Sequence, residues 1–139
     1  MTLSEQICDS IARLQWDDLP PSTRKAACHV LLDASGVMLA ASGLSDEVRP
    51  FIALARVSGS GPSAVLGTDL RVAPAAAALA NGAMAHALDY EDAFDIRPGH
   101  PNASLVPALI ALAQSEGPFD GRRFLTALVA GCDIACRIG

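Results

Sequence analysis

The residues best suited to chemistry lie together in residues 81–101, NGAMAHALDYEDAFDIRPGHP. An alanine-rich stretch leads into acidic residues, and the segment then closes on Arg97 and a Gly-His-Pro turn at His100. The four acids are Asp89, Glu91, Asp92 and Asp95. Imidazole titrates near neutrality, and a positioned imidazole or carboxylate can transfer a proton to or from a reacting group. If this chain has a chemical function, we expect acid/base chemistry in this segment.

His100 is the leading candidate for the acid/base. Gly99 and Pro101 would hold its imidazole in a rigid turn at the start of a predicted helix, and a helix N-terminus favours bound anions. Spacing alone leaves two alternatives open. Asp89, Asp92 and His100 could coordinate a hard or borderline cation, or they could be ordinary solvent-exposed and structural residues. The chain has no HxxxH or HExxH pattern, which counts against a metal site.

Six helices are predicted to position this segment. Hydrophobic residues make up 51% of the chain but aromatic residues only 4%, and alanine supplies much of the apolar total. That composition favours closely packed helices over a sheet. The predicted helices span residues 2–14, 22–42, 45–57, 74–88, 103–115 and 121–139, and residues 63–66 could form a short extended piece. The expected fold is all-α and bundle-like.

Charge and composition narrow the choice of partners. The net charge is −5 and no basic run exists, so nucleic acid and acidic membrane surfaces are poor partners. The N-terminus lacks the basic start of a signal peptide, and the longest apolar run, residues 72–88, is too rich in alanine to span a bilayer convincingly. We therefore expect a cytoplasmic protein. The four cysteines form no CxxC pair, and we interpret them as small buried apolar residues, with a metal or redox pair at Cys132 and Cys136 as the alternative.

Four stretches of the chain resemble the MmgE/PrpD family, in order and over essentially the whole length. They are LPPSTRKAACHVLLDASGVMLAAS, NGAMAHALDYED, GHPNASLVPALIALAQ and GRRFLTALVAGCDIACRIG. The family includes 2-methylcitrate dehydratase, cis-aconitate decarboxylase and an iminodisuccinate epimerase. The resemblance implies a large helical domain plus a smaller α/β domain, a homodimer, and no metal or organic cofactor. It also implies that residues 1–139 are only the front part of the helical domain.

The resemblance assigns roles to particular residues. Asp89 matches the first acid of the family's HxxDxxD pattern and His100 matches the histidine of its HPS turn, and both positions belong to the active site of relatives. His86 and Asp92 match the other fixed points of the first pattern, although a packing role for His86 is the simpler interpretation. We expect His100 to be the acid/base. Asp89 would orient it, or would itself act as a base.

Two departures from the family pattern bear on the substrate. Ala93 stands where many relatives have threonine, and Asn102 stands where the turn usually has serine, so Asn102 is kept as a possible substrate-binding residue. The resemblance implies a di- or tricarboxylate substrate, yet only Arg97 and His100 supply positive charge near the candidate site. Further cations would have to come from the rest of the protein or from a partner subunit.

Two hypotheses follow from the sequence. In the first, the chain is the N-terminal part of a lyase or isomerase that moves a proton α to a carboxylate of a small polycarboxylate, as in 2-methylcitrate dehydratase. In the second, the 139-residue chain is a non-catalytic truncated helical module that self-associates through exposed apolar faces. The sequence does not choose between dehydration, decarboxylation and epimerisation.

Overall fold

The structure, a computed structural model, describes residues 1–94 and 99–138. Residues 95–98, which include the candidate Arg97, and residue 139 lie outside the described part. The six helices are α1 (Leu3–Arg13), α2 (Pro21–Leu44), α3 (Arg49–Val57), α4 (Pro74–His86), α5 (Pro101–Glu116) and α6 (Gly121–Ile138). Two strands, β1 (Ser60–Ala64) and β2 (Arg71–Val72), and two short 3-10 turns complete the described elements. The prediction of a mostly helical fold with about six helices is confirmed.

The helices begin where their local sequence favours it. The side chain of Thr2 accepts from the amide of Glu5, and the Glu5 carboxylate accepts from the amide of Thr2, which is a complete capping box for α1. Each of α2 to α5 has a proline in its first turn, where the missing amide hydrogen costs no helical hydrogen bond. The carboxylate of Asp120 accepts from the amide of Arg122 at 3.1 Å and caps α6.

The small antiparallel hairpin goes beyond what the sequence predicted. Only an extended piece at 63–66 was expected, whereas β1 covers Ser60–Ala64 and pairs with β2 through an irregular register. Ser60 and Ser63 both lie opposite Val72, so β1 contains a bulge. Gly61 approaches the carbonyl of Val72 so closely that any Cβ at this position would overlap it. The glycine is therefore required by the hairpin, although glycine-rich sequences rarely indicate a strand.

Helix α4 lies at the centre of the core. Its Ala77, Ala80 and Met84 have no exposed surface, and they belong to one apolar cluster with residues of the neighbouring helices and the hairpin. Those residues include Met38 and Ala41 of α2, Val65 after β1, Val106 of α5 and Leu128 of α6. The alanines allow neighbouring backbones to approach closely, and the methionines fill the remaining space. This packing fixes the end of α4, from which the candidate site begins.

A buried amide ties the hairpin to α4. Asn81 has no exposed surface, and its Nδ2 donates to the carbonyl of Ala64 at 2.9 Å. Its Oδ1 accepts from the amide of Leu66, also at 2.9 Å. Gln114 of α5 accepts from the amide of Ala64 at 2.7 Å. The end of β1 is thus held by side chains from two helices.

Helix α2 has the length and apolar character of a membrane span, alone among the helices of the described residues. This is weak evidence, because the core helices of soluble proteins meet the same criterion. α2 contributes Ala34, Met38 and Ala41 to the core, while its Leu32 and Leu39 are exposed. The absence of a membrane partner remains a prediction.

Candidate active site

The site begins where α4 ends. The helix was predicted to reach residue 88, but it ends at His86, and the amide of Asp89 donates to the carbonyl of His86 at 3.3 Å. Asp89 has a φ of 54°, in the left-handed region that aspartate and asparagine enter more readily than most residues. The acids that follow this turn lie against the start of α5, where Asp92 contacts His100 and Asn102.

Glu91 is the acid that faces inward. Its side chain is only 2% exposed, and its Oε1 forms a short contact with Nδ1 of His86. The same oxygen lies 3.7 Å from Nδ1 of His100. Its other oxygen, Oε2, is buried and has no hydrogen-bond partner in the described part of the chain. Glu91 was counted among the acids of the segment, but the sequence assigned it no role.

The backbone of the loop fixes the imidazole of His100. Its Nδ1 lies 2.9 Å from the carbonyl oxygen of Asp92, and this oxygen can only accept, so Nδ1 carries the hydrogen. In the neutral ring Nε2 is then the unprotonated nitrogen, free to take up a proton. The amide of Phe94 donates to the carbonyl of Gly99 at 3.0 Å and closes the loop just before the histidine.

Asp89 and His100, the two predicted catalytic residues, lie close together. Asp89, Glu91 and His100 each offer one ligand atom, and these atoms all lie within 4.8 Å of one another. Such a group could hold a metal ion, although the spacing had suggested Asp92 in place of Glu91. The Nδ1 hydrogen of His100 is donated to a carbonyl, which leaves Nε2 available either as an acid/base or as a metal ligand. The prediction of no metal and no cofactor stays a prediction.

A groove of about 540 Å³ lies beside the two histidines, between α3, α4 and α5. His86, His100 and Ser104 form its polar wall, and Phe51 and Leu79 are among its apolar residues. The two imidazole rings are 5.4 Å apart between centroids. Both rings therefore border a space large enough for a small organic molecule.

The other candidates occupy different positions. Asp92 accepts from Nδ2 of Asn102 at 2.6 Å, and Oδ1 of Asn102 accepts from the thiol of Cys132 at 3.0 Å. Asn102 is only 3% exposed, so its amide contacts the protein at both ends. His86 is largely exposed and is paired with Glu91. Arg97 lies outside the described residues.

A family model of the MmgE/PrpD N-terminal domain matches residues 5–139. The chain belongs to the MmgE/PrpD family. Relatives of this MmgE/PrpD chain include the cis-aconitate decarboxylase-like protein oryM of Aspergillus oryzae, which is 31% identical over 143 residues. The match covers 99% of this chain and 30% of that protein. A cis-aconitate decarboxylase of Aspergillus terreus is 27% identical over 143 residues, covering 99% of this chain and 29% of the relative.

This MmgE/PrpD chain therefore spans about 30% of the length of the curated relatives it matches. The family resemblance noted in the sequence is confirmed, and the relatives bear the names of decarboxylases, which are lyases. These matches do not assign a role to any residue of the site. The roles of Asp89, His100 and their neighbours therefore stay predictions.

Proposed function

We propose that this MmgE/PrpD chain supplies the acid/base histidine of a lyase or isomerase acting on a small di- or tricarboxylate, as 2-methylcitrate dehydratase or cis-aconitate decarboxylase does. His100 carries the proposal. Its Nδ1 hydrogen is donated to the Asp92 carbonyl, its Nε2 is left unprotonated, and Glu91 lies 3.7 Å from the ring. The names of the relatives support the reaction class, and the substrate itself is part of the proposal.

The proposed chemistry starts at Nε2 of His100. In dehydration or epimerisation, Nε2 takes the proton from the carbon α to a carboxylate, and the C–H electrons delocalise into that carboxylate. In dehydration the resulting imidazolium then protonates the leaving hydroxyl, whereas in epimerisation a second acid must protonate the opposite face of the carbon. In decarboxylation, the C–C bond electrons stay on carbon as carbon dioxide leaves, and a protonated His100 delivers the proton. The neighbouring carboxylates of Glu91 and Asp89 stabilise the cation in either case.

Negative charge at the site limits what these residues can do alone. Asp89, Glu91 and Asp92 surround His100, and a polycarboxylate would be repelled unless cations compensate. We propose that these cations come from outside the described residues, either from another part of the enzyme or from the second subunit of a homodimer. The acidic cluster then serves to orient and charge the histidines, and substrate binding depends on positive groups elsewhere.

The direct test is turnover by the protein expressed from its complete reading frame. Cis-aconitate, 2-methylcitrate and citrate would be supplied separately, with crotonate as a monocarboxylate control, and products would be followed by proton NMR. We expect consumption of at least one polycarboxylate and none of crotonate. A folded protein that neither binds nor consumes any of the three would contradict the proposal.

Glu91→Gln should lower kcat by about 10- to 100-fold with a smaller effect on KM, because a neutral amide cannot stabilise the imidazolium by charge. Glutamine keeps the shape and an oxygen that can accept from Nδ1 of His86. Glu116→Gln, the same substitution at the exposed end of α5, is the matched control and should leave kcat unchanged. Equal kcat values for the two variants would remove Glu91 from the mechanism.

Exposed leucines on α2 support the second hypothesis, a module that self-associates. Leu32 and Leu44 are each 74% exposed, and Leu39 is 52% exposed. Leu32 and Leu39 are two turns apart on the same side of the helix, and a second copy could cover them. Size-exclusion chromatography with light scattering should show a dimer or larger species that Leu32→Glu with Leu39→Glu converts to monomer. A wild-type monomer at high concentration would contradict self-association.

A further inference from the structure

A partly buried chain of hydrogen bonds runs from α6 to the loop that holds His100. Its members are Cys132 on α6, Asn102 in the first turn of α5, and Asp92 in the loop. The distances are 3.0 Å from Cys132 Sγ to Asn102 Oδ1 and 2.6 Å from Asn102 Nδ2 to Asp92 Oδ2. Neither bond is local, since Cys132 and Asn102 are 30 residues apart and Asn102 and Asp92 are 10 residues apart. The chain therefore connects two helices to the site.

The direction of each bond follows from the groups that take part. An ionised carboxylate only accepts, so Asn102 must present its Nδ2 to Asp92 and its Oδ1 to Cys132. The sulfur must then donate. Burial, with the nearby charge of Asp92 and a smaller effect of Cys136, raises the pKa of the Cys132 thiol to about 11. Cys132 therefore keeps its hydrogen at neutral pH, and the orientation of Asn102 is fixed from both ends.

Asp92 connects this chain to the histidine. Its side chain is held by Asn102, and its backbone carbonyl accepts the Nδ1 hydrogen of His100 at 2.9 Å. We propose that Cys132, Asn102 and Asp92 act as positioning residues that hold His100 in the tautomer with hydrogen on Nδ1, leaving Nε2 free to accept a proton. Without the thiol, Oδ1 of Asn102 loses its donor, and Asn102 holds Asp92 less rigidly. His100 would then populate the tautomer with hydrogen on Nε2, which free histidine side chains prefer.

The tautomer can be measured directly. Two-bond 1H–15N correlation spectra of the protein, recorded above the pH at which His100 becomes neutral, separate a protonated ring nitrogen from an unprotonated one. We expect His100 of the wild type to carry its hydrogen on Nδ1. Cys132→Ala should give a mixture of both tautomers. Cys132→Ser, which restores a donor, should return the wild-type spectrum, and Cys136→Ala, one turn further along α6, should not change it.

Circular dichroism confirms folding of each variant, and Cys132→Val replaces Cys132→Ala if the latter does not fold, because valine fills a similar volume without a donor. A wild-type ring spectrum in the alanine or valine variant would overturn the proposal. So would a serine variant that behaves like alanine.

A second, kinetic test depends on the proposed function, whereas the NMR spectra of the His100 ring do not. In the complete protein, Cys132→Ala should lower kcat by about tenfold with little change in KM, and Cys132→Ser should restore it. If Cys132→Ala changes the tautomer of His100 but the wild type consumes no substrate, the proposed function fails and the positioning role of Cys132, Asn102 and Asp92 stands. An altered tautomer with unchanged kcat would show that the chain does not position the acid/base.

Discussion

Replacing His100 with alanine should lower kcat by about 10²- to 10⁴-fold in the protein expressed from its complete reading frame, because the acid/base that transfers the proton is lost. KM should change much less, since the imidazole contributes mainly to the transition state. The structure motivates the size of the effect. His100 borders the groove, its Nδ1 hydrogen is donated to Asp92, and Glu91 lies 3.7 Å away.

His29→Ala is the matched control, because His29 is exposed on α2 and takes no part in the site. Steady-state kinetics on whichever polycarboxylate the wild type consumes would give both constants. Circular dichroism would show that each variant is folded. If His100→Ala and His29→Ala turned over at similar rates, His100 would not be the acid/base, and His86 would be the next residue to test.

Asn81→Ala should lower the free energy of unfolding by about 1–3 kcal/mol, because two part-buried backbone groups lose hydrogen bonds that contribute about 0.5–1.5 kcal/mol each. These groups are the carbonyl of Ala64 and the amide of Leu66, both bonded to Asn81 at 2.9 Å. Alanine is an excellent helix former, so the loss cannot come from the helix propensity of α4. Urea unfolding followed by circular dichroism would measure the change.

Gln114→Ala provides the comparison on the same hairpin. Gln114 accepts from the amide of Ala64 at 2.7 Å, but its side chain is half-buried, so water can replace it. We expect a loss of about 0.5–1.5 kcal/mol for this variant. An Asn81→Ala protein no less stable than Gln114→Ala would show that the buried amide does not hold the hairpin to α4.

Most of the helical framework could be predicted because its limits depend on local chemistry. A proline in the first turn of α2, α3, α4 and α5 marks where each helix begins, and periodic apolar residues mark their lengths. The hairpin could be predicted only in part. Its bulge requires Gly61 against the carbonyl of Val72, and that contact depends on a residue far along the chain. Neither serine nor glycine indicates a strand by itself.

At the site, too, some features could be predicted from short motifs, whereas others depend on contacts between residues distant in the sequence. The proximity of Asp89 and His100 agrees with the expectation from the family motifs, and their ligand atoms lie within 4.8 Å. The inward position of Glu91 could not be predicted from its type. It depends on contacts with His86 and His100, which come from two different helix ends that the fold brings together. The bond between Asn102 and Cys132 likewise requires the packing of α5 on α6.

The buried alanines at the centre of α4 restrict which substitutions this domain can accept during evolution. Ala77 and Ala80 have no exposed surface, so every substitution there except glycine adds volume and displaces the helix that ends at His86. Ala77 lies nine residues before that histidine, or about 13 Å along the axis. Selection for catalytic activity would therefore also restrict substitution of Ala77, although its methyl group lies far from any reacting atom. Amino-acid changes in this core should be concentrated at Met38 and Met84, because the flexible methionine side chain tolerates substitution.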